Sequence, residues 1–84
     1  MLHLITYDLS DPGQNYNALR NTITEHPFAK ITESCWIIRS NLTAPQIRDI
    51  LRPCLDTNDR LFVCDFHHYA AMGLPNWCAL CLNN

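Results

Sequence analysis

Length, composition and charge limit the kinds of protein that this sequence can encode. The chain has 84 residues, which suffices for one domain with a small core, since typical domains run to about 100–150 residues. Hydrophobic residues make up 48% and charged residues only 17%, against a usual charged fraction of about 25%, which argues against intrinsic disorder. A formal charge of −2 disfavours tight nucleic-acid binding by a single chain, because such domains usually have a pI above about 9.

The start of the chain and its cysteines favour a cytoplasmic protein. The longest uncharged run near the start, residues 1–7, is far shorter than the about 20 residues of a membrane span, and it lacks the basic region of a signal peptide. We therefore expect no membrane association. In the cytoplasm the five cysteines are expected to be reduced thiols rather than a disulfide framework, and their odd number agrees with that expectation.

The first third of the chain predicts a strand followed by a helix. Residues 1–9 have the apolar pattern of a strand, and a cluster of turn-forming residues at 10–13 ends it. From about Asn15 apolar side chains recur at helical spacing, until Pro27 prevents the helix from continuing. We expect either Asp11 or Asn15 to cap this helix.

The next segments predict a hairpin, and the second half ends in another strand. Residues 29–40 are rich in β-branched and aromatic side chains, which predicts two antiparallel strands, the first very short, that reverse direction at 32–34. Residues 60–67 read as the last main strand, and both of its faces are largely apolar. A sheet with one solvated face alternates more cleanly, so we expect something to cover the second face.

The second helix has the clearest local signal in the sequence. Thr43 and Gln46 stand at the spacing of a capping box, in which each side chain bonds the backbone amide of the other residue. The helix is expected to end near Arg52, because Pro53 cannot donate to the preceding turn. The apolar stripe expected to be buried consists of Ile47, Ile50, Leu51, Cys54 and Leu55.

The predicted elements together define a fold class. Their order, β-α-β-β-α-β, is that of a ferredoxin-like α+β domain, here a single domain over residues 1–84 with a four-stranded antiparallel sheet and two helices on one face. Residues 68–84 form a C-terminal appendage, in which a third short helix is predicted. Its apolar positions at helical spacing are Leu74, Trp77, Cys78, Cys81 and Leu82.

Several short motifs resemble one superfamily over roughly residues 1–67. They are the end of the first strand (7–11, YDLSD), the third strand (34–36, SCW) and the entry to the second helix (42–47, LTAPQI). The chain resembles the superfamily of the smaller CRISPR adaptation subunit, with virulence-associated protein D and the SinR-like proteins. Residues 57–60 (TNDR) and 73–75 (GLP) are similar to the SinR-like branch.

The resemblance implies a homodimer whose sheets meet face to face. In such proteins an aspartate at the end of the first strand lies near the two-fold axis, where it holds a divalent metal and supports cleavage of RNA or DNA. Asp8 matches that position, and RNA is the favoured substrate. Other relatives serve as scaffolds without cleavage, so a non-catalytic dimer that binds a protein partner is the alternative. The basic residues that commonly follow the aspartate are absent, since Pro12, Gly13, Gln14 and Asn15 stand there.

The chemistry of the candidate residues allows more than one interpretation. Two symmetry-related Asp8 carboxylates can share one Mg²⁺ or Mn²⁺, hard cations that take oxygen ligands and activate water; alternatively, Asp8 and Asp11 only organise a turn. Arg20, Arg48 and Arg60 are candidate phosphate contacts, because arginine binds phosphate through two parallel bonds. An ordinary mixed-charge surface explains the same arginines.

A zinc site is a further possibility near the C-terminus. His67 and His68 close the last strand, and Cys78 and Cys81 follow in the appendage. These are ligand types that tetrahedral zinc accepts. The alternative is that the two cysteines are small core residues of a docking helix, and the histidines surface residues.

Overall fold

The computed structural model describes residues 1–11 and 16–75. It has the predicted order of elements, and each predicted strand and helix over these residues is present within a few positions. The bounds are β1 Leu2–Asp8, α1 Asn17–Thr24, β2 Phe28–Thr32, β3 Cys35–Arg39, α2 Ala44–Leu51, a single 3₁₀ turn Arg52–Cys54, and β4 Arg60–Phe66. β2 is as long as β3, five residues each, so the expectation of a very short first hairpin strand is wrong.

The four strands form one antiparallel sheet in the order β2-β3-β1-β4. β1 therefore lies in the interior, between β3 and β4, although it comes first in the chain. Crossovers through α1 and α2 produce this order, and the result is the expected ferredoxin-like α+β arrangement.

Helix α1 begins without the predicted cap. Its N-cap position is Tyr16, which makes no capping bond through its side chain, so the prediction of a cap by Asp11 or Asn15 is wrong. Tyr16 is only 3% exposed, and its hydroxyl donates to the carboxylate of Asp59. Burial of this ring and of Leu19 and Ile23 anchors the first turn instead, in keeping with the dominance of packing over local signals in short helices.

Helix α2 begins at the predicted capping box. The Gln46 amide donates to Thr43 Oγ1 at 3.3 Å, and the Thr43 amide donates to Gln46 Oε1 at 2.9 Å. Ile47 and Leu51 are each 2% exposed, whereas Ile50 is 43% exposed. The predicted burial of Ile50 is therefore wrong, because a helix of eight residues packs mainly through one row of side chains four positions apart.

The two faces of the sheet are covered differently. Both helices pack on one face, here called the helix face, where Ile5, Tyr7, Trp36 and Ile38 join Leu19, Ile23, Ile47 and Leu51 in the main core. The opposite face, here called the outer face, has a smaller cluster around Leu2, Ala29 and Ile37.

Part of the outer face is covered by the chain itself. After β4, residues 69–74, here called the strap, have neither helix nor strand and cross the cluster, so that Leu74 packs on it. Gly73 has φ +79°, which a residue without Cβ adopts at little cost. Leu74 covers part of the cluster of Leu2, Ala29 and Ile37, while Phe62 on β4 is 58% exposed. The predicted third helix lies mainly in residues 76–84, outside the described residues.

No helix in the described part of the chain is long and apolar enough to cross a membrane.

Candidate functional site

Asp8 is the last residue of β1 and lies on the outer face of the sheet. Successive residues of a strand point to opposite faces, and Tyr7 packs in the core of the helix face. Asp8 therefore shares the outer face with Leu2, Leu4 and Thr6, and its side chain is exposed. Its partner on β4 is Arg60, also exposed. The structure thus places two of the predicted site residues, Asp8 and Arg60, opposite each other in the strand register at the end of an interior strand.

The turn that follows Asp8 is fastened to the start of β4 by Asp59. The Asp59 carboxylate accepts hydrogen bonds from the Ser10 amide at 2.8 Å and the Ser10 hydroxyl at 2.9 Å. It also accepts from the Tyr16 hydroxyl at 3.0 Å and from the Asp56 amide at 2.8 Å. We call this arrangement the Asp59 clasp. It ties three separate segments together and fixes the backbone two residues beyond Asp8.

The clasp shifts the acidity of both of its titratable members. The Ser10 amide, the Asp56 amide and the hydroxyls of Ser10 and Tyr16 lower the pKa of Asp59 against an opposing effect of burial. Burial, together with the hydrogen bond to Asp59 and nearby negative charge, raises the pKa of Tyr16 from 10.0 to about 12. Asp59 therefore stays ionised and Tyr16 stays protonated at neutral pH. Because four donors occupy the carboxylate, its role is to hold the turn.

A second hydrogen-bonded chain supports β1 from the helix face. The indole Nε1–H of Trp36 donates to the Tyr7 hydroxyl at 2.9 Å, and that hydroxyl donates to the carbonyl of Glu33 at 3.1 Å. Both rings are nearly buried, at 4% and 8% exposure. Tyr7 thus holds the end of β1 from the helix face, while the Asp59 clasp holds the turn that follows β1.

The predicted phosphate-binding arginines do not form one cluster. Arg60 lies opposite Asp8 in the strand register. Arg20 lies on α1, where it donates to Asn17 at 2.8 Å, and Arg48 lies on α2, where it forms an ion pair with Asp49 at 3.0 Å. Both helices cover the opposite face of the sheet from Asp8. Arg48 does line a groove of about 390 Å³ beside β4, together with Arg52, Asp56, Asp59 and Leu61.

The described residues contain no group of three or more His, Cys, Asp or Glu side chains that could hold a metal ion. Asp8 therefore needs ligands from a second chain, from water or from a substrate to hold Mg²⁺ or Mn²⁺. His67 and His68 are exposed after β4. Cys78 and Cys81, the other half of the predicted zinc site, lie outside the described residues.

The sequence analysis did not identify the clasp. Neither Asp59 nor Tyr16 is named there as a candidate site residue. The only local signal is that Asp59 ends a turn whose first residue, Asp56, donates its amide to the carboxylate three positions on. The bonds from Ser10 and Tyr16 span 49 and 43 positions, which no local pattern encodes.

No protein-family model matches the sequence, and no curated protein matches it.

Proposed function

We propose that this chain acts as a homodimer that cleaves RNA with the help of Mg²⁺ or Mn²⁺, with Asp8 as the metal ligand. The observation that carries this proposal is the position of Asp8. Its exposed carboxylate ends an interior strand on the outer face, beside an exposed arginine, Arg60. The turn behind it is held by the Asp59 clasp, so the carboxylate projects from a fixed backbone.

The distribution of apolar surface supports a second copy as the occupant of the outer face. Leu74 of the strap packs on the cluster of Leu2 and Ile37, but no residue of the strap is packed on Phe62 in the described part of the chain, and Phe62 is 58% exposed. Phe62 pairs with Thr6, one step along the outer face from the pair of Asp8 and Arg60. A copy that buries Phe62 about a two-fold axis brings the two Asp8 carboxylates toward each other.

The chemistry follows from two carboxylates, one from each chain. A hard divalent cation takes oxygen ligands and keeps several waters, so two carboxylates suffice to hold it while phosphate oxygens fill other positions. When bound between the two Asp8 carboxylates, such a cation would polarise the phosphodiester and activate a water for attack. Arg60 beside Asp8 is suited to bind a phosphate oxygen of the strand being cleaved.

Cleavage of labelled RNA tests the proposal. Wild-type protein is compared with Asp8→Ala in Mg²⁺, in Mn²⁺ and in EDTA, and Asp11→Ala serves as a neighbouring acid outside the proposed site. The expected result is cleavage by wild type and Asp11→Ala that needs metal and is lost in Asp8→Ala. Equal cleavage by wild type and Asp8→Ala, or no cleavage by wild type, would show that the nuclease proposal is wrong.

A non-catalytic scaffold is the second candidate, and one observation favours it. Among the described residues each chain offers a single exposed carboxylate at the end of β1 and no group of three ligands, while Arg20 and Arg48 lie on the helices of the other face. The same dimer then binds a protein partner without chemistry. Absence of cleavage, combined with a mass of two chains in light scattering, supports this alternative.

A further inference from the structure

Strand β4 is an edge strand of the sheet. The strand order places it at one end, and in the described part of the chain no strand pairs with its outer side. None of its seven residues is fully buried, whereas β1, on its inner side, has four buried residues. An edge of this kind presents a row of backbone donors and acceptors to any strand that can pair with it.

The middle of this edge lacks the usual protection against pairing. Proteins generally protect edge strands with a lysine, a proline or an inward-pointing charge in the strand, or with a covering loop. In β4 the residues from 61 to 64 are Leu, Phe, Val and Cys. Charges occur only toward its ends, at Arg60 and Asp65, and both side chains are exposed.

A groove runs beside the edge on the helix face. Leu61 and Val63 point to this face, because their partners on β1, Tyr7 and Ile5, pack in the main core. The groove continues past Arg48, which lines both the space of about 390 Å³ at Leu61 and a neighbouring space of about 260 Å³ that reaches Val63. Helix α2 therefore leaves β4 partly uncovered and places a cation over the gap.

We propose that β4 pairs in antiparallel register with β4 of a second copy of this chain, about a two-fold axis at Val63. With the axis at Val63, Leu61 lies opposite Asp65 of the second copy. Paired residues of antiparallel strands share a face, so the helices of both copies lie on the same side of the joined sheet. The Asp65 carboxylate of the second copy then enters the groove beside Arg48. On the outer face, the same register sets Arg60 opposite Phe66, where a guanidinium can stack on the ring.

This contact does not require the proposed nuclease, although Arg60 takes part in both proposals. It joins two four-stranded sheets into one of eight strands, and it does not bury Asp8 or the cluster of Leu2, Ala29 and Ile37 on the outer face. In this register the two Asp8 side chains lie toward opposite ends of the paired strands, so edge pairing neither requires nor creates a shared metal site. An assembly can contain both the edge contact and the contact through the outer face.

Charge reversal with rescue tests the contact. Asp65→Arg places a second cation beside Arg48 in the groove of each copy. Arg48→Glu places a second carboxylate beside Asp65. The double variant restores attraction with the charges exchanged. Because Asp65 and Arg48 are exposed, the variants are expected to fold, which circular dichroism checks. Glu25→Arg, a charge reversal at an exposed acid that follows α1, is the matched control, and Asp8→Ala probes the outer face.

Light scattering over a concentration series gives the readout. Wild type is expected to have the mass of two chains or a multiple of two, and each single charge reversal to weaken the association by at least about tenfold, since like charges at an interface cost several kcal/mol. The double variant should recover most of the loss. A wild-type protein with the mass of one chain, single variants that associate like wild type, or a double variant no better than the single ones would overturn the proposal. Dissociation by Asp8→Ala but not by Asp65→Arg would place the contact on the outer face and would also overturn it.

Discussion

The hydrogen-bonded chain from Trp36 through Tyr7 to Glu33 makes the sharpest stability prediction, through the substitution Tyr7→Phe. This change removes one hydroxyl and keeps the ring, so no large cavity forms. The indole N–H of Trp36, only 4% exposed, now donates to that hydroxyl at 2.9 Å. In the variant this buried donor has lost its acceptor, and the bond to the Glu33 carbonyl is also gone.

The magnitude follows from these two losses. An orphaned buried donor costs about 1–3 kcal/mol, and a lost hydrogen bond with a partner that can turn to water costs about 1 kcal/mol. We therefore expect Tyr7→Phe to lower the free energy of unfolding by about 2–4 kcal/mol. For a domain of this size each kcal/mol corresponds to roughly 4–8 °C in Tm, so even the lower limit is easily measured.

Urea unfolding followed by far-UV circular dichroism measures the change. Equal slopes of the free energy of unfolding against urea concentration in wild type and variant show that the unfolded states are comparable. The matched control is the same substitution in a Trp36→Phe background, where no indole donor is left to be orphaned. There Tyr7→Phe should cost only about 1 kcal/mol. A cost below about 0.5 kcal/mol in the wild-type background, or an equal cost in both backgrounds, would refute the reasoning.

Three further predictions concern other parts of the fold. The lowered pKa of Asp59 means that its contribution to stability is present above its unfolded pKa of about 4 and is lost as the pH falls through its folded pKa. Asp59→Asn should therefore make Tm less dependent on pH below about 4, which thermal scans at several pH values measure; an unchanged acid slope would argue against the clasp. Thr43→Ala should cost about 1 kcal/mol by removing the cap of α2, and a thermal scan showing no change would mean that the capping box adds nothing. Leu51→Ala should cost about 2–5 kcal/mol, whereas Ile50→Ala on the same helix should cost under about 1 kcal/mol because Ile50 is 43% exposed; equal urea midpoints would contradict this difference.

Local interactions are the part of the fold that could be predicted from sequence. The capping box of Thr43 and Gln46 joins residues three positions apart, and Pro53 marks the end of α2 through its missing amide. The apolar patterns of the strand segments predicted the strands of the sheet, and the order of the elements predicted its ferredoxin-like topology. The burial of Ile50 was mispredicted because helical spacing shows which residues share a stripe but not how wide the contact surface beneath it is.

The candidate site could be predicted only in part. Asp8 was identified through the resemblance, which implies a metal ligand at the end of the first strand, and in the structure strand alternation assigns it to the outer face. The Asp59 clasp could not be found, since Ser10 and Tyr16 lie more than 40 positions from Asp59 and meet it only after β1 and β4 have paired. The separation of Arg20 and Arg48 from Asp8 likewise depends on which face the helices cover.

The number of Mn²⁺ ions bound per chain tests most directly whether two copies share one metal through Asp8. If they do, titration calorimetry should give about half an ion per chain, because two carboxylates from two chains hold one cation, and Asp8→Ala should bind none at that site. One ion per chain, or equal binding by wild type and Asp8→Ala, would contradict a shared site.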